Sequence, residues 1–249
     1  MKKYFQIKLE FNRETIHQTI HQTVSENQKG YVCAINSNNF VVGYKNKIHE
    51  QVLNNSLINI CDGSVMALIL SIIHRKRLNP YPGPDLFINL LKQKKASHLF
   101  LGSTTTVLKG LGNNLPNIIH KDSTMFFQSL PYREVDSFDY KNIANLINSL
   151  NVDIIWVSLG APKQEQFMSK LLPYINRGVL IGVGAAFLFY SGISTYSRAP
   201  LLFRKMKMES IYRILQSPRI MLKRVLPQIP TLFILIFKEI SWVYFKDDK

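Results

Sequence analysis

The feature that most constrains the fold is a series of short apolar runs, each closed by a glycine, an Asn or an Asp-Gly pair. The runs read "GYVCAIN" at 30–36, "SLINICDG" at 56–63, "SHLFLG" at 97–102, "VDIIWVSLG" at 152–160 and "RGVLIGVG" at 177–184. The last three are each followed by a stretch with helical periodicity, as in a parallel sheet whose strands are buried on both faces. The sequence therefore predicts an α/β fold: a Rossmann-like parallel sheet with helices on both faces.

Neither end of the chain resembles a signal peptide or a membrane span. Alternating apolar and polar residues over 4–11 predict one half-buried strand at the N-terminus. The longest apolar stretch, 231–237, is closed by Lys238 and Glu239 and falls short of the roughly 18 residues that a span needs. We therefore expect no segment that crosses a membrane.

The formal net charge of +15 indicates an anionic partner. From Arg198 onward the chain has eleven Lys or Arg and four acids, so about half of the excess lies in its last fifth. There the bases alternate with bulky apolar residues, which favours a helix at an anionic membrane surface over a nucleic-acid arm. We predict a catalytic α/β domain, 1–196, and a basic, mostly helical, membrane-associating appendage, 197–249; nucleic-acid binding is not expected.

The Cys and His residues give no sign of a disulfide or a metal site. Cys33 and Cys61 end predicted strands and match no zinc spacing, so we expect them to be buried and reduced, as in the cytoplasm. His17 and His21 have the spacing of a zinc pair, but no third ligand lies nearby in sequence. A solvated helix face explains this pair better.

The carboxyl ends of the predicted strands define a candidate site, because ligands bind at that edge of a parallel sheet. The edge would hold Asn36, Asp62 with Gly63, and Gly182 and Gly184, which allow a ligand to approach the backbone. A single carboxylate suits a general base when the leaving group departs by itself, and without an acidic dyad no metal site is predicted. From position alone, however, Asp62 is better explained as a helix N-cap.

The stretch "SLGAPKQEQF" at 158–167 places polar residues at the junction between a predicted strand and a predicted helix. Proline fits the first turn of a helix, so Pro162 is predicted to open one after a tight turn at Gly160. The N–H groups of that turn suit an anion, with Gln164 on the rim of the pocket. An ordinary strand–helix junction remains the alternative.

Several segments together resemble the WecG/TagA/CpsF glycosyltransferases. They are "LGAPKQEQF", "GVGAAFLFYSG" and "SRAPLLFRKMKMESIYRILQSPRIMLKR", with the "CDG" turn and "GPDLF" at 83–87. The resemblance covers roughly 31–224 and implies an inverting, UDP-sugar-dependent hexosyltransferase of cell-envelope polysaccharide biosynthesis. Such an enzyme moves N-acetylmannosamine or its uronic acid from a UDP donor to N-acetylglucosamine on a polyprenyl diphosphate, with no metal or cofactor.

The resemblance also assigns roles to residues. Asp62 matches the catalytic base, Asn36 and Gln164 match polar residues of the pocket, and the arginines match an appendage that closes over the site at the inner face of the membrane. The predicted substrate-binding set is Asn36, Gly63, Gly160, Pro162, Lys163, Gln164, Glu165, Gly182, Gly184, Arg198, Arg213, Arg219 and Arg224. A homo-oligomer is left open.

Some positions depart from the family pattern. Ala34 stands where a Thr is usual, Leu188 where an Asp is usual and Ser210 where a Trp is usual. The arginine expected ahead of 83–87 is also absent, and prolines stand at 80 and 82. These departures leave the identity of the sugar open. They also motivate an alternative function, a catalytically weak module of the same fold that binds a lipid carrier or partner proteins.

Overall fold

The computed structural model describes residues 1–193, 199–200, 202–203, 212, 215 and 218–245. Six strands form a parallel sheet in the order β4-β3-β8-β7-β5-β6. They are β3 Lys29–Ile35, β4 Ile58–Cys61, β5 Ser97–Gly102, β6 Thr124–Gln128, β7 Ile154–Ser158 and β8 Gly178–Gly182. The predicted α/β class and the five predicted strands are confirmed.

Helices connect the strands on both faces of the sheet. They are α1 Arg13–Ser25, α2 Ser37–Lys45, α3 Lys47–Asn54, α4 Ser64–Ile73, α5 Gly83–Gln93, α6 Thr105–Asn114, α7 Tyr140–Leu150, α8 Lys163–Leu171, α9 Ala186–Tyr190, α10 Pro218–Val225 and α11 Ile229–Phe245. Side-chain oxygens of Asn or other cap residues accept from the first turns of several of them, which satisfies N–H groups that a helix cannot pair internally.

Two hydrophobic cores lie on opposite faces of the sheet. Along β3, Cys33 and Ile35 belong to one core, while Val32 and Ala34 belong to the other. This alternation follows from the period of two in a strand. Because both faces are covered, the central strands are mostly apolar, and β8 is buried along its whole length.

The N-terminal segment is a hairpin, so the prediction of one strand over 4–11 is wrong. β1 Lys2–Tyr4 pairs antiparallel with β2 Ile7–Leu9. Phe5 and Gln6 between them have φ values of +48° and +67°, a left-handed pair that reverses the chain. Alternation of apolar residues cannot reveal such a turn when its residues are themselves Phe and Gln.

The C-terminal helix α11 is longer than the apolar run read from the sequence. Lys238 and Glu239 lie inside it, and the stretch Leu226–Tyr244 is long and apolar enough to cross a membrane by length and composition. The expectation of too short a segment is therefore wrong on those two criteria. Glu239, however, is buried against the α/β body, where its Oε1 lies 2.9 Å from His74 Nε2 and its Oε2 accepts from the Phe5 N–H at 2.9 Å.

Candidate active site

The carboxyl ends of β4, β3, β8 and β7, four neighbours in the sheet, bring the predicted site residues to one edge. Asn36 follows β3, Asp62 follows β4, and Gly184 lies just past β8. The turn at 158–162 follows β7, and its Ser158 hydroxyl donates to the Gly184 carbonyl at 2.7 Å. The prediction that these turns meet is confirmed.

Asp62 is held by the N-terminus of α5. Its backbone N–H continues the sheet by donating to the Ile35 carbonyl at 2.9 Å. Its Oδ1 accepts from the N–H of Gly83, the first residue of α5, at 2.7 Å. The N-cap of the helix that follows Asp62, α4, is Gly63, and it makes no side-chain capping bond. The N-cap of α4 is thus Gly63 and not Asp62, and the N-terminus of a different helix, α5, orients the Asp62 carboxylate.

Asn36 closes the β3 turn as the N-cap of α2. Its Oδ1 accepts from the backbone N–H groups of Asn38 and Asn39 at 3.0 and 3.3 Å, and the Asn39 side chain accepts from the Asn36 N–H at 3.4 Å. This reciprocal capping box fixes the turn. A ligand contact from the Asn36 side chain would use its Nδ2 group.

The turn after β7 has the predicted form. Gly160 adopts φ +78°, a left-handed conformation in which a glycine is favoured, and a Cβ there would contact nothing within 4 Å. Pro162 is the N-cap of α8, which begins at Lys163, so the prediction that Pro162 opens a helix is confirmed to within one residue. The Ala161–Pro162 peptide is cis.

Gln164 is buried, with 3 % of its surface exposed, so its predicted place on the pocket rim is wrong. Its Oε1 accepts from the Gly184 N–H at 3.0 Å and its Nε2 donates to Glu165 Oε1 at 2.9 Å. Gly182 makes this position possible, because a Cβ there would lie 3.0 Å from Gln164 Nε2. The amide therefore forms the floor of the site and not its rim.

Glu165 is fully buried directly beneath this floor. The pKa of its carboxyl is raised to about 7, chiefly by burial and to a smaller extent by the charge of Asp62, against the opposing effect of hydrogen bonding by Gln164, its own backbone N–H and Asn39. Asn39 is close enough to exert this effect, yet its Nδ2 and Glu165 Oε2 are both without a partner at hydrogen-bond geometry. The sequence assigned Glu165 to the substrate-binding set, but its carboxylate faces protein amides.

The structure does not bring the side chain of Lys163 to the buried polar group formed by Gln164 and Glu165. Its Nζ donates to the Arg133 carbonyl and lies 4.8 Å from the ring centre of Tyr132 and 5.5 Å from that of Phe138. These contacts hold the ammonium over the loop between β6 and α7. Lys163 therefore belongs to the outer wall of the turn.

The four predicted arginines are described only in part. Arg219 is exposed on α10, and Arg224 lies on the same helix, while Arg198 and Arg213 lie outside the described residues. Gln228, which the sequence did not suggest, does reach the site edge. Its amide exchanges hydrogen bonds with the Ser37 hydroxyl and Asn38 Oδ1, both at 3.3 Å.

Two of the departures from the family pattern, Ala34 and Leu188, lie near this edge. Ala34 is buried on β3, two residues before Asn36, and Leu188 on α9 is 39 % exposed. Neither side chain can donate or accept a hydrogen bond. The site is accordingly less polar at these two positions than the family pattern predicts.

The remaining titratable groups carry no metal site among the residues that the structure describes, where no cluster of three or more Cys, His, Asp or Glu occurs. Cys33 and Cys61 are free and buried, as predicted. His17 and His21 are half-buried, since Gln93 Oε1 lies 2.6 Å from His17 Nδ1 and 3.2 Å from His21 Nε2. They contact a neighbouring helix more closely than a fully solvated face would.

Comparison with known proteins gives one family. The protein-family model described as "Glycosyl transferase WecG/TagA/CpsF family" matches residues 4–244 of this chain. Three similar proteins carry the name N-acetylglucosaminyldiphosphoundecaprenol N-acetyl-beta-D-mannosaminyltransferase. The one from Bacillus spizizenii is 25 % identical over 202 residues, covering 78 % of this chain and 74 % of the relative. Those from Bacillus subtilis and Staphylococcus aureus are 27 % and 24 % identical, covering 70 % and 74 % of this chain and 66 % and 71 % of the relatives.

Proposed function

Because this chain belongs to the WecG/TagA/CpsF family of glycosyl transferases, we propose that it transfers an N-acetylmannosamine-type sugar from a UDP donor to N-acetylglucosamine on a polyprenyl diphosphate. The family makes it a hexosyltransferase, and the names of its relatives specify this sugar and this acceptor for those proteins. The observation that carries the proposal for this chain is the carboxylate of Asp62, held at the strand ends by the Gly83 N–H.

The proposed chemistry is a single displacement. Asp62 accepts the proton of the acceptor hydroxyl, whose oxygen attacks the anomeric carbon of the donor sugar. The new C–O bond forms as the bond from that carbon to the diphosphate breaks, which releases UDP and inverts the anomeric configuration. The proton remains on Asp62 until solvent removes it, and the proposal needs no metal or cofactor.

A donor screen tests this reaction. The purified chain is incubated with a short-chain prenyl-diphosphate N-acetylglucosamine and a panel of UDP-sugars, including UDP-N-acetylmannosamine and its uronic acid. We expect product from one donor and a loss of about 100-fold or more in Asp62→Asn, as for removal of a general base. Asp122→Asn, at an exposed carboxylate before β6, is the matched control and should retain activity.

The outcomes separate the two functions that the sequence left open. Product formation that persists in Asp62→Asn would contradict the proposed base. No product from any donor, with UDP and prenyl diphosphate still bound, would instead support a catalytically weak binding module. The observation that favours this second function is the absence of hydrogen-bonding side chains at Ala34 and Leu188.

We also propose that the chain acts from the cytoplasm, peripherally, on an anionic membrane surface that presents the lipid-linked acceptor. Helices α4 and α11 pack against each other, and both expose bulky apolar side chains. Leu68 and Ile72 on α4 are 60 % and 68 % exposed, and Phe233 and Phe237 on α11 are 68 % and 72 % exposed. Apolar faces with basic residues nearby, such as the exposed Arg75 at the end of α4, suit an anionic bilayer surface.

Vesicle flotation tests the membrane contact. Vesicles containing phosphatidylglycerol should float the wild-type chain, and the pair Leu68→Ser and Ile72→Ser should reduce the floating fraction severalfold. Ile48→Ser is the matched control, because Ile48 is 73 % exposed on α3. Full retention in the double variant would contradict this surface. Self-association that the same double variant abolishes would assign the face to a second copy of the chain.

A further inference from the structure

The carboxylate of Glu165 is an unusual group to bury. It is 0 % exposed, and no Lys, Arg or His in the described part of the chain forms an ion pair with it. A buried carboxylate without a cation destabilises a fold unless hydrogen bonds compensate for the lost water. A glutamine or a methionine would fill the same space without this penalty. The position therefore requires an explanation from its neighbours.

The first neighbour is Gln164, whose amide Glu165 orients. The Gln164 side chain donates to Glu165 Oε1 and accepts from the Gly184 N–H. If the Gln164 amide were reversed, its NH₂ group would face the Gly184 N–H and its oxygen would face the carboxylate. Both contacts would then be repulsive. An ionised Glu165 therefore allows only one orientation of the amide at the floor of the site.

The second neighbour is Asn39, which connects Glu165 to the turn at Asn36. Asn39 is fully buried, and its Oδ1 is used by the Asn36 N–H, so only its Nδ2 group remains to face the carboxylate. Nδ2 of Asn39 and Oε2 of Glu165 are both among the buried side-chain atoms that lack a hydrogen-bond partner in the described part of the chain, and Asn39 lowers the pKa of the Glu165 carboxyl. A small approach would pair this donor with this acceptor.

We propose that Glu165 is a positioning residue of the transferase, whose ionised carboxylate accepts from Gln164 and Asn39 and thereby holds the turns after β3 and β8 in register around Asp62. The inference rests on the proposed function in one respect, namely that these turns serve a sugar transfer. Glu165 contacts neither donor nor acceptor in this arrangement. It acts through two amides, one behind each turn.

Protonation would disrupt this arrangement. A neutral Glu165 carries a hydroxyl donor, but the polar groups that face it are the NH₂ groups of Gln164 and Asn39, which are donors too. Within the described residues, the other titratable groups around it are Asp62, whose charge raises the pKa of Glu165, and the thiol of Cys33, whose pKa is raised by burial and by Glu165. Neither is a cation that would keep the carboxylate ionised at low pH.

The test compares Glu165→Gln with Asp153→Asn, the same chemical change at a carboxylate at the opposite end of β7. Asp153 accepts from the N–H and hydroxyl of Ser97, both at 2.8 Å, and pairs with Arg177. In full-length protein with ¹⁵N-labelled glutamine side chains, the Gln164 signal is identified by its loss in Gln164→Met. We expect this signal to shift in Glu165→Gln and to titrate with pH in the wild type, and to be unchanged in Asp153→Asn.

Kinetics supply the second readout. We expect kcat/KM to fall about 10- to 100-fold in Glu165→Gln, as for misplaced active-site groups, and to lose the wild type's rise with pH around neutrality. An unmoved Gln164 signal in Glu165→Gln overturns the inference whatever the activity. Equal loss of kcat/KM in Asp153→Asn overturns it as well. A signal that moves as expected while every donor is inactive supports the positioning role and refutes the proposed reaction instead.

Discussion

The buried carboxyl of Glu165 is predicted to lower the stability of the protein as pH rises, whereas most carboxylates in folded proteins have the opposite effect. Replacing Glu165 by Gln should remove this pH dependence. The pKa of the carboxyl is 4.5 in an exposed chain and about 7 in the fold, mainly because of burial. Between these values the folded state keeps a proton that the unfolded state has lost, so stability falls as pH rises. The shift corresponds to about 3 kcal/mol of unfolding free energy, lost progressively from about pH 4.5 to 7 and fully absent above it.

Glu165→Gln removes this loss. The difference in unfolding free energy, variant minus wild type, should therefore be about 2.5 kcal/mol larger at pH 8 than at pH 5. Comparing the two pH values cancels any packing effect of the amide. Urea unfolding followed by circular dichroism measures it directly, because the midpoint shifts with stability while the slope reports the surface exposed.

Asp153→Asn provides the control of opposite sign. Hydrogen bonds from Ser97 and the charge of Arg177 outweigh burial and hold the pKa of Asp153 below its usual range. Its stabilising contribution is therefore complete above pH 4 and constant from pH 5 to 8. The variant should be destabilised equally at both pH values. If Glu165→Gln shows the same pH-independent difference, then Glu165 is ionised in both states and the argument from burial is refuted.

Two further changes test other contacts. Gly182→Ala would place a Cβ 3.0 Å from Gln164 Nε2, so we expect kcat/KM to fall about 10-fold with unchanged near-ultraviolet circular dichroism; unchanged kinetics would show that the amide can move. Glu239→Ala removes the partner of His74 and of the Phe5 N–H, so we expect a loss of about 1–3 kcal/mol in unfolding free energy and faster proteolysis within α11. Undiminished protection of α11 would show that apolar packing alone holds it.

The sequence predicted the sheet well because its central strands are buried on both faces and so carry an unbroken apolar signal. β6 was missed, since it lies at the sheet edge and its residues Thr124–Gln128 are only partly buried. The N-terminal hairpin was missed because its left-handed turn residues, Phe5 and Gln6, are not those that usually mark such turns. In both cases the local pattern was weak and tertiary contacts determined the result.

The site was predictable to the level of the turn but not of the side chain. Parallel strands place their carboxyl ends together whatever their sequence, which is why Asn36, Asp62 and Gly184 could be assigned to one edge. The direction of a side chain depends on where the helix begins. Because α8 begins at Lys163, Gln164 turns inward under β8 and Lys163 turns outward toward Arg133. A start one residue earlier would have put Lys163 in the inward position that Gln164 occupies.

Helix α4 links the two halves of the proposed function. It begins at Ser64, two residues after Asp62, and extends ten residues to Ile73, a length of about 15 Å. Its exposed residues Leu68 and Ile72 lie along the same helix, beside α11. If these residues contact the bilayer, the proposed base lies within about 15 Å of the lipid surface, the length of α4. A sugar attached directly to a polyprenyl diphosphate extends only a short distance from that surface. The proposed acceptor can therefore reach Asp62 without leaving the membrane. An enzyme with a soluble acceptor would not need the exposed apolar residues Leu68 and Ile72 so close to its base.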